Sequence, residues 1–313
     1  MKYSVIATSF NDSAEIESYL RYIVNQSVSP SEVIIVDGGS KDDTVSKIIA
    51  FAEKNNINIR VISDRGRLNI SQGYNIGVKE SHNDHLVITG IGNIYDKDFC
   101  KYLIDCYEGG DYDMVYCPTF GVDQNNFSKH FNSVFLRGKK GKRYPFPSNR
   151  AVLIDKKVFE RAGLFYEHFV YAGEDTEFFQ RVYGLGYRIG YTEKAIMHWF
   201  TPSDFNQYKK KWKVNAIADL QLLSKRRIVM DALIKTSLLI IVAVLFCMFA
   251  DTVYPYVMIF FGLLFLMLRY HTANVQGIFL RIASDYYLIW YRIKNWKYGA
   301  REYHFDTSKI SRL

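Results

Sequence analysis

Over the first 120 residues, short apolar runs alternate with stretches whose apolar positions recur every three to four residues. Val5-Ile6-Ala7 leads into Thr8-Ser9-Phe10-Asn11 and reads as a strand and its exit turn. Ile16, Leu20, Ile23 and Val24 then fall on one helical face. Ile34-Ile35-Val36 is a second apolar run. It stops at Asp37, followed by Gly38-Gly39, a polar cluster, and a helical face at Val45, Ile48, Ile49 and Ala52. Ile59 to Ile62 predicts a third strand, Arg67 to Val78 a loop and helix, and Leu86 to Thr89 a fourth strand. Strands and helices in this order predict an α/β fold, with a mostly parallel sheet covered by helices on both faces.

Regular signals thin out over residues 121–150. Arg137, Lys139, Lys140, Lys142 and Arg143 cluster there with Gly138 and Gly141, predicting a flexible basic loop that is either a solvated charge run or a cover over phosphates. Ala151 to Ile154 is strand-like, Lys156 to Ala162 helical, Thr176 to Val182 helical, and Lys194 to Met197 strand-like with His198 after it. Ala232 to Ala250 and Val253 to Leu268 are two dense apolar runs parted by Asp251-Thr252, each close to the roughly 20 residues that cross a bilayer. They predict a transmembrane hairpin over about 232–268, and residues 275–298 an interfacial amphipathic helix. A buried core hairpin is the alternative. The domain division expected is 1–227 and 228–313.

Charge sharpens this picture. Residues 208–313 hold 16 Lys and Arg against 6 Asp and Glu, a net +10, so the remainder, 24 against 26, carries −2. A basic tail on a near-neutral main domain argues against a nucleic-acid binder and for contact with acidic lipid. Basic residues flank both apolar runs, which puts both ends on the cytoplasmic side. Cys100, Cys106, Cys117 and Cys247 have no metal or redox spacing and read as reduced thiols. No secretory signal is expected before the first strand.

Two stretches carry candidate chemistry. Asp37, at the carboxyl end of a parallel strand, sits where open α/β sheets bind ligands, though a plain strand-turn-helix explains it equally. Glu174-Asp175 opens a helix, where a carboxylate either caps or takes a proton from a hydroxyl.

The ordered series Thr8-Ser9-Phe10-Asn11, Val36-Asp37-Gly38-Gly39-Ser40 with Asp42-Asp43-Thr44, Arg67 with Gly73, Asn75 and Gly77, and Gly173-Glu174-Asp175 with Phe178, Arg181 and Gly186-Tyr187 resembles the family 2 inverting glycosyltransferases. The resemblance covers roughly residues 1–215. It implies a Rossmann-like nucleotide-diphosphosugar-binding domain, the glycosyltransferase A fold, carrying here a C-terminal helical membrane-associated region. It implies a nucleotide pocket at Thr8, Ser9, Asn11, Asp37, Gly38, Arg67, Asn75, Gly90, Gly92 and Asn93, with Asp37 on the base or ribose. It makes Asp175 the catalytic base, with Glu174 alongside. The family's Asp-x-Asp, which holds a divalent cation on the donor diphosphate, is replaced here by Thr89-Gly90-Ile91-Gly92-Asn93. A literal Asp96-Lys97-Asp98 follows too late and reads as a helix start. His198, Lys209 and Lys210 are then the groups left for the diphosphate or a metal, and Mg or Mn dependence is expected to be weak or absent.

The reading as a whole is an inverting glycosyltransferase at the cytoplasmic face of the inner (plasma) membrane, working on a lipid-linked glycan acceptor in cell-envelope polysaccharide biosynthesis. The alternative is a nucleotide-sugar-binding scaffold that has lost catalysis. A transport subunit is disfavoured, because the two apolar runs carry no ionisable residue near their middles.

Overall fold

Strands β1 (Ser4–Ser9) and β2 (Glu32–Asp37) run parallel in the interior of a seven-stranded sheet and are buried almost end to end. This computed structural model describes residues 1–55, 57–63, 66–136, 147–169, 171–236 and 275–297. Helix α1 (Ile16–Val24) joins β1 to β2, and α2 (Thr44–Asn55) leads to β3 (Ile59–Ile62). Then come α3 (Ile70–Glu80), β4 (His85–Thr89), β5 (Asn93–Tyr95), α4 (Phe99–Glu108), β6 (Met114–Tyr116), β7 (Thr119–Gly121) and α5 (Asn126–Phe135). After residue 147 follow β8 (Ala151–Asp155), α6 (Lys156–Ala162), α7 (Glu174–Gly184), β9 (Ile189–Tyr191), β10 (Met197–Trp199) and α8 (Phe205–Leu222). A helical stretch at 225–236 and α9 (Val275–Lys294) complete the described elements.

The sheet order is β3-β2-β1-β4-β8-β6-β9. The first four strands are mutually parallel, β8 is antiparallel to both β4 and β6, and β9 is parallel to β6. Alternation of side chains along the strands feeds two cores. Val5, Ala7, Val87 and Leu153 meet α1, α2 and α4 on one face. Ile6, Leu86, Ile88, Val152 and Ile154 meet α3, α6 and α7 on the other. The predicted two-sided sheet is therefore present.

The glycines of α3 have a packing reason. A Cβ on Gly73 would stand 2.6 Å from the Thr8 methyl, and one on Gly77 2.4 Å from Ile6 Cγ2. Helix α3 thus lies directly against β1. A smaller sheet, β5-β10-β7, holds His198 inside β10 rather than after a strand, as the sequence suggested.

By contacts, the described residues of Met1–Val122 and Gly138–Phe200 form one compact unit, and those of Asp123–Arg137 and Thr201–His304 a second. Helix α5, unexpected from the sequence, groups with α8: Phe131 and Phe135 pack against Tyr208, and Phe135 against Trp212 at 5.3 Å. Its start is an Asn125–Ser128 capping box.

Helix α9 occupies the span expected to be amphipathic. Arg292 pairs with Asp219 and Asp231, each at 2.6 Å, and Arg281 donates to Val134 O at 2.5 Å. Among the described residues no helix is long and apolar enough to cross a membrane. The basic loop at 137–146 and most of the expected hairpin, 237–268, lie outside the described residues.

Candidate active site

At the carboxyl ends of β1 and β2, Ser9 stands opposite Asp37. Asp37 is buried, and its carboxylate accepts four hydrogen bonds. Ser9 Oγ (3.1 Å) and Ser40 Oγ (2.5 Å) donate to one oxygen, and the Gly39 and Ser40 amides (2.9 and 2.8 Å) to the other. An ionised carboxylate offers about four lone-pair sites, so all are taken. Asp37, expected on the base or ribose, holds the turn in this structure.

Asn11, at φ 55°, is also committed: its Oδ1 accepts from the Lys41 amide at 2.9 Å, and its own amide donates to Ser40 Oγ at 2.8 Å. The two loops are thereby clamped together. Gly38 donates to Ser9 O at 2.7 Å, and a Cβ there would meet Ser9 O at 3.2 Å and Leu68 O at 3.3 Å, so the 66–68 segment closes against the same turn. An Asp37→Ala protein should lose about 1–3 kcal/mol of stability, because buried donors are left unsatisfied, with weaker nucleoside diphosphate affinity as the turn loosens. Denaturant melts and calorimetry check this. Unchanged values in both would make the clamp dispensable.

A cleft of about 260 Å³ opens beside this clamp, lined in part by Phe10, Arg67, Ser71, Phe169, Tyr171 and Glu174. Arg67 lies over the Phe10 ring, 5.8 Å from its centroid. Asn69 caps α3 through a reciprocal box with Gln72. Asn75, expected in the nucleotide pocket, is buried and spends its whole amide on the 165–167 segment. Its Nδ2 donates to Phe165 O and Glu167 Oε1, both at 2.8 Å, and its Oδ1 accepts from the Phe165 amide at 2.9 Å. It ties α3 to the 165–167 segment.

Gly173, in the left-handed region at φ 108°, turns the chain into α7. Glu174 is buried, and burial, then the charge of Asp175, pushes its carboxyl well above the usual range. Asn149 Nδ2 donates to Glu174 Oε1 at 3.4 Å. Asp175 is half-buried; its Oδ1 accepts from the Thr176 amide at 2.7 Å. Among the described residues its Oδ2 makes no hydrogen bond. One turn on, Phe178 stacks on Phe159 at 4.9 Å. Arg181 binds Glu177 and the Ala162 and Leu164 carbonyls, which ties α7 to α6. Glu174 therefore lines the cleft from a helix start tied to α6, and Asp175 is the next residue on that helix.

The end of β4 is a tight polar turn. Tyr95 Oη accepts from the Gly90 amide at 2.8 Å, and Asn93 Nδ2 donates to Gly90 O at 2.8 Å. Gly92 takes φ 77°. The register pairs Thr89 with Ala151, so the next residue out, Gly90, comes beside Arg150. Arg150 Cζ lies over the Trp199 ring at 4.7 Å. His198, one residue earlier on β10, faces the other way. Its partners are Asp96, at 4.0 Å, and the Phe120 ring, at 5.8 Å between centroids. Asp98 stands at the start of α4, as expected, but makes no side-chain cap.

Comparison with known proteins decides the family. The model described as Glycosyl transferase family 2 matches residues 4–169, more than half of the chain. The chain belongs to glycosyltransferase family 2. A relative from Methanococcus voltae, a dolichyl N-acetyl-alpha-D-glucosaminyl phosphate 3-beta-D-2,3-diacetamido-2,3-dideoxy-beta-D-glucuronosyltransferase, is 23% identical over 66% of this chain and 70% of its own. The O-antigen chain rhamnosyltransferase RfbN of Salmonella typhimurium is 25% identical over the same shares. Among solved structures, the mannosyltransferase PcManGT from Pyrobaculum calidifontis, in complex with GDP-Man and Mn²⁺, superposes with TM-score 0.69 at 17% identity, covering 94% of this chain and 87% of that one. S. aureus TarS 1–349 with UDP-GlcNAc gives TM-score 0.55 at 15% identity, covering 70% of this chain and 65% of that one. The fold is thus the glycosyltransferase A fold.

In this family 2 glycosyltransferase, the Asp-x-Asp expected from the family resemblance is absent at the end of β4. Gly90 and Gly92 offer no side-chain oxygen, and among the described residues no group of three or more His, Cys, Asp and Glu could hold a metal ion. A hard divalent cation wants several oxygen ligands, and the described residues do not by themselves supply such a set. Lys209 and Lys210, expected near the diphosphate, lie on α8 in the second unit, with Lys209 over the Phe205 ring at 5.6 Å. Thr8 is half-buried against α3. The sequence reading missed Arg150. Its only signal there is a lone cation before an apolar run, and the β4–β8 register is needed to bring it to Gly90.

Proposed function

We propose that this protein transfers a sugar, with inversion, from a nucleotide-diphosphosugar to a hydroxyl of a lipid-linked glycan at the cytoplasmic face of the plasma membrane. The observation that carries the reading is the Glu174-Asp175 pair at the start of α7, where Glu174 lines the cleft with Arg67 and Phe10. The acceptor oxygen attacks C1 of the sugar. The C1–O(acceptor) bond forms as the C1–O(phosphate) bond breaks, and that electron pair leaves on the nucleoside diphosphate. The acceptor proton passes to the Asp175 carboxylate. Glu174, biased towards its protonated form, adds no second full charge beside that base. A single displacement inverts C1.

The donor class is supported by the neighbours crystallised with GDP-Man and UDP-GlcNAc. The acceptor class is supported by relatives named for a dolichyl sugar phosphate and for the O-antigen chain. For the membrane, support comes from α9. Phe279, Tyr286, Trp290 and Ile293 recur at helical spacing and are 50% to 67% exposed, while Arg281 and Arg292 point to partners within the second unit. An apolar stripe with Tyr and Trp suits headgroup depth. The test is the full chain in detergent, given UDP- and GDP-sugars with a bacterial lipid extract. The expected product is a glycolipid whose new linkage, read by NMR, has the opposite anomeric configuration to the donor. Retained configuration, or release of sugar to water alone, overturns the reading.

A further inference from the structure

We infer that Arg150 is the cation that meets the donor diphosphate, in place of a metal held at the end of β4. The inference rests on the transferase reading above and names the group that binds its leaving part.

The β4–β8 register sets Arg150 beside Gly90. A Cβ on Gly90 would stand 2.9 Å from Asn93 Nδ2 and 3.6 Å from Arg150 Cγ, so the missing side chain leaves the space that the arginine stem borders. Trp199 supports the guanidinium from one side at 4.7 Å, which fixes its direction at low entropic cost. Among the described residues the guanidinium makes no ion pair and no hydrogen bond. It is half-buried, yet none of its nitrogens is sealed from solvent, so its donors are open. Its charge acts on Glu174, where it opposes the upward push of burial and Asp175. It therefore stands electrostatically within the catalytic pair's surroundings.

Two further atoms, on the residue before Arg150 and on the Gly90 turn, are unsatisfied. Asn93 Oδ1 and Asn149 Oδ1 are buried without a hydrogen-bond partner. Buried acceptors without partners are rare, and hydroxyl donors from a sugar would satisfy them. A planar guanidinium carries paired donors whose spacing matches phosphate oxygens, and such bonds are roughly twice as strong as neutral ones. An arginine without an ion pair, beside two asparagines that each keep an unmatched acceptor, suits an anion bearing hydroxyls, and a sugar diphosphate is such an anion. With no carboxylate at 90 or 92, the arginine is not neutralised by the turn it faces.

The test measures the gain in affinity from the diphosphate, as the ratio of UDP to uridine binding and of GDP to guanosine binding. Calorimetry is run on the full chain in excess EDTA. The parent should bind one diphosphate better than its nucleoside without metal. Arg150→Ala should cut that ratio about ten- to a hundredfold with nucleoside affinity unchanged, and Arg150→Lys should restore part of it. Gly90→Asp, which places a carboxylate beside Arg150, should cut the ratio as well. An undiminished ratio in Arg150→Ala, loss of nucleoside binding along with the diphosphate, or a parent ratio that collapses on chelation each overturns the assignment. A parent that binds neither diphosphate in EDTA or in Mn²⁺ overturns instead the transferase reading on which it rests.

Discussion

An Asp175→Asn protein should transfer sugar at least about 10²-fold more slowly than its parent. The substitution keeps size and polarity and removes only the capacity to take a proton. Asp175 is half-buried at the start of α7, and among the described residues one of its oxygens is unengaged, so an acceptor hydroxyl can reach it. The Thr176 amide, which donates to the other oxygen at 2.7 Å, can donate equally to an amide oxygen, so the helix start should survive. Donor affinity should stay close to the parent's, because the lost group touches the acceptor proton and not the nucleotide. Initial rates beside nucleotide calorimetry separate the two. Parent-like transfer would remove Asp175 from the chemistry and direct attention to Glu174.

The second large effect is on stability. Phe178→Ala should cost about 3–5 kcal/mol, a large share of the total for an ordinary domain. Phe178 is fully buried one turn beyond the carboxylates. It stacks on Phe159 at 4.9 Å, meets Phe165 at 4.4 Å and Phe179 at 5.3 Å, and carries Arg181 over its ring at 5.3 Å. Truncation opens a cavity among rings that cannot collapse into it, and it slackens the helix that presents Asp175. A shifted urea midpoint with unchanged slope is the expected readout. A change under about 1 kcal/mol would mean that α7 is held by Arg181 alone.

The site was legible to different depths. Asp175 was readable as a base candidate, because its motif is local and its company ordered. Asp37 was readable as a strand-end carboxylate, but not as a saturated one: the donors that fill it come from Ser9, 28 residues away, as well as from its own turn. Asn75 looked like a ligand contact because its partners lie 90 residues downstream, where no local pattern points. The sequence pattern sets His198 just after a strand, whereas its position inside β10 turns it towards Asp96 and gives the side nearer Arg150 to Trp199.

What the amino-acid sequence determined by itself is the first half of the sheet and its two faces. The apolar runs at Val5, Ile34 and Leu86 are long enough to be buried on both sides, and the helical faces between them have only that sheet to cover. Hydrophobic burial depends on near-neighbour periodicity, and periodicity is written in the chain. What only the tertiary structure decided is pairing across distance. Strands of three residues, such as β5, β7 and β10, carry too little pattern to announce themselves and form only by pairing with one another across the chain. The grouping of α5 with α8 rests on aromatic contacts more than 70 positions apart in the chain. Arg150 acquires its place only when β8 runs antiparallel to β4. Register is a property of two strands at once, and no single stretch of sequence contains it.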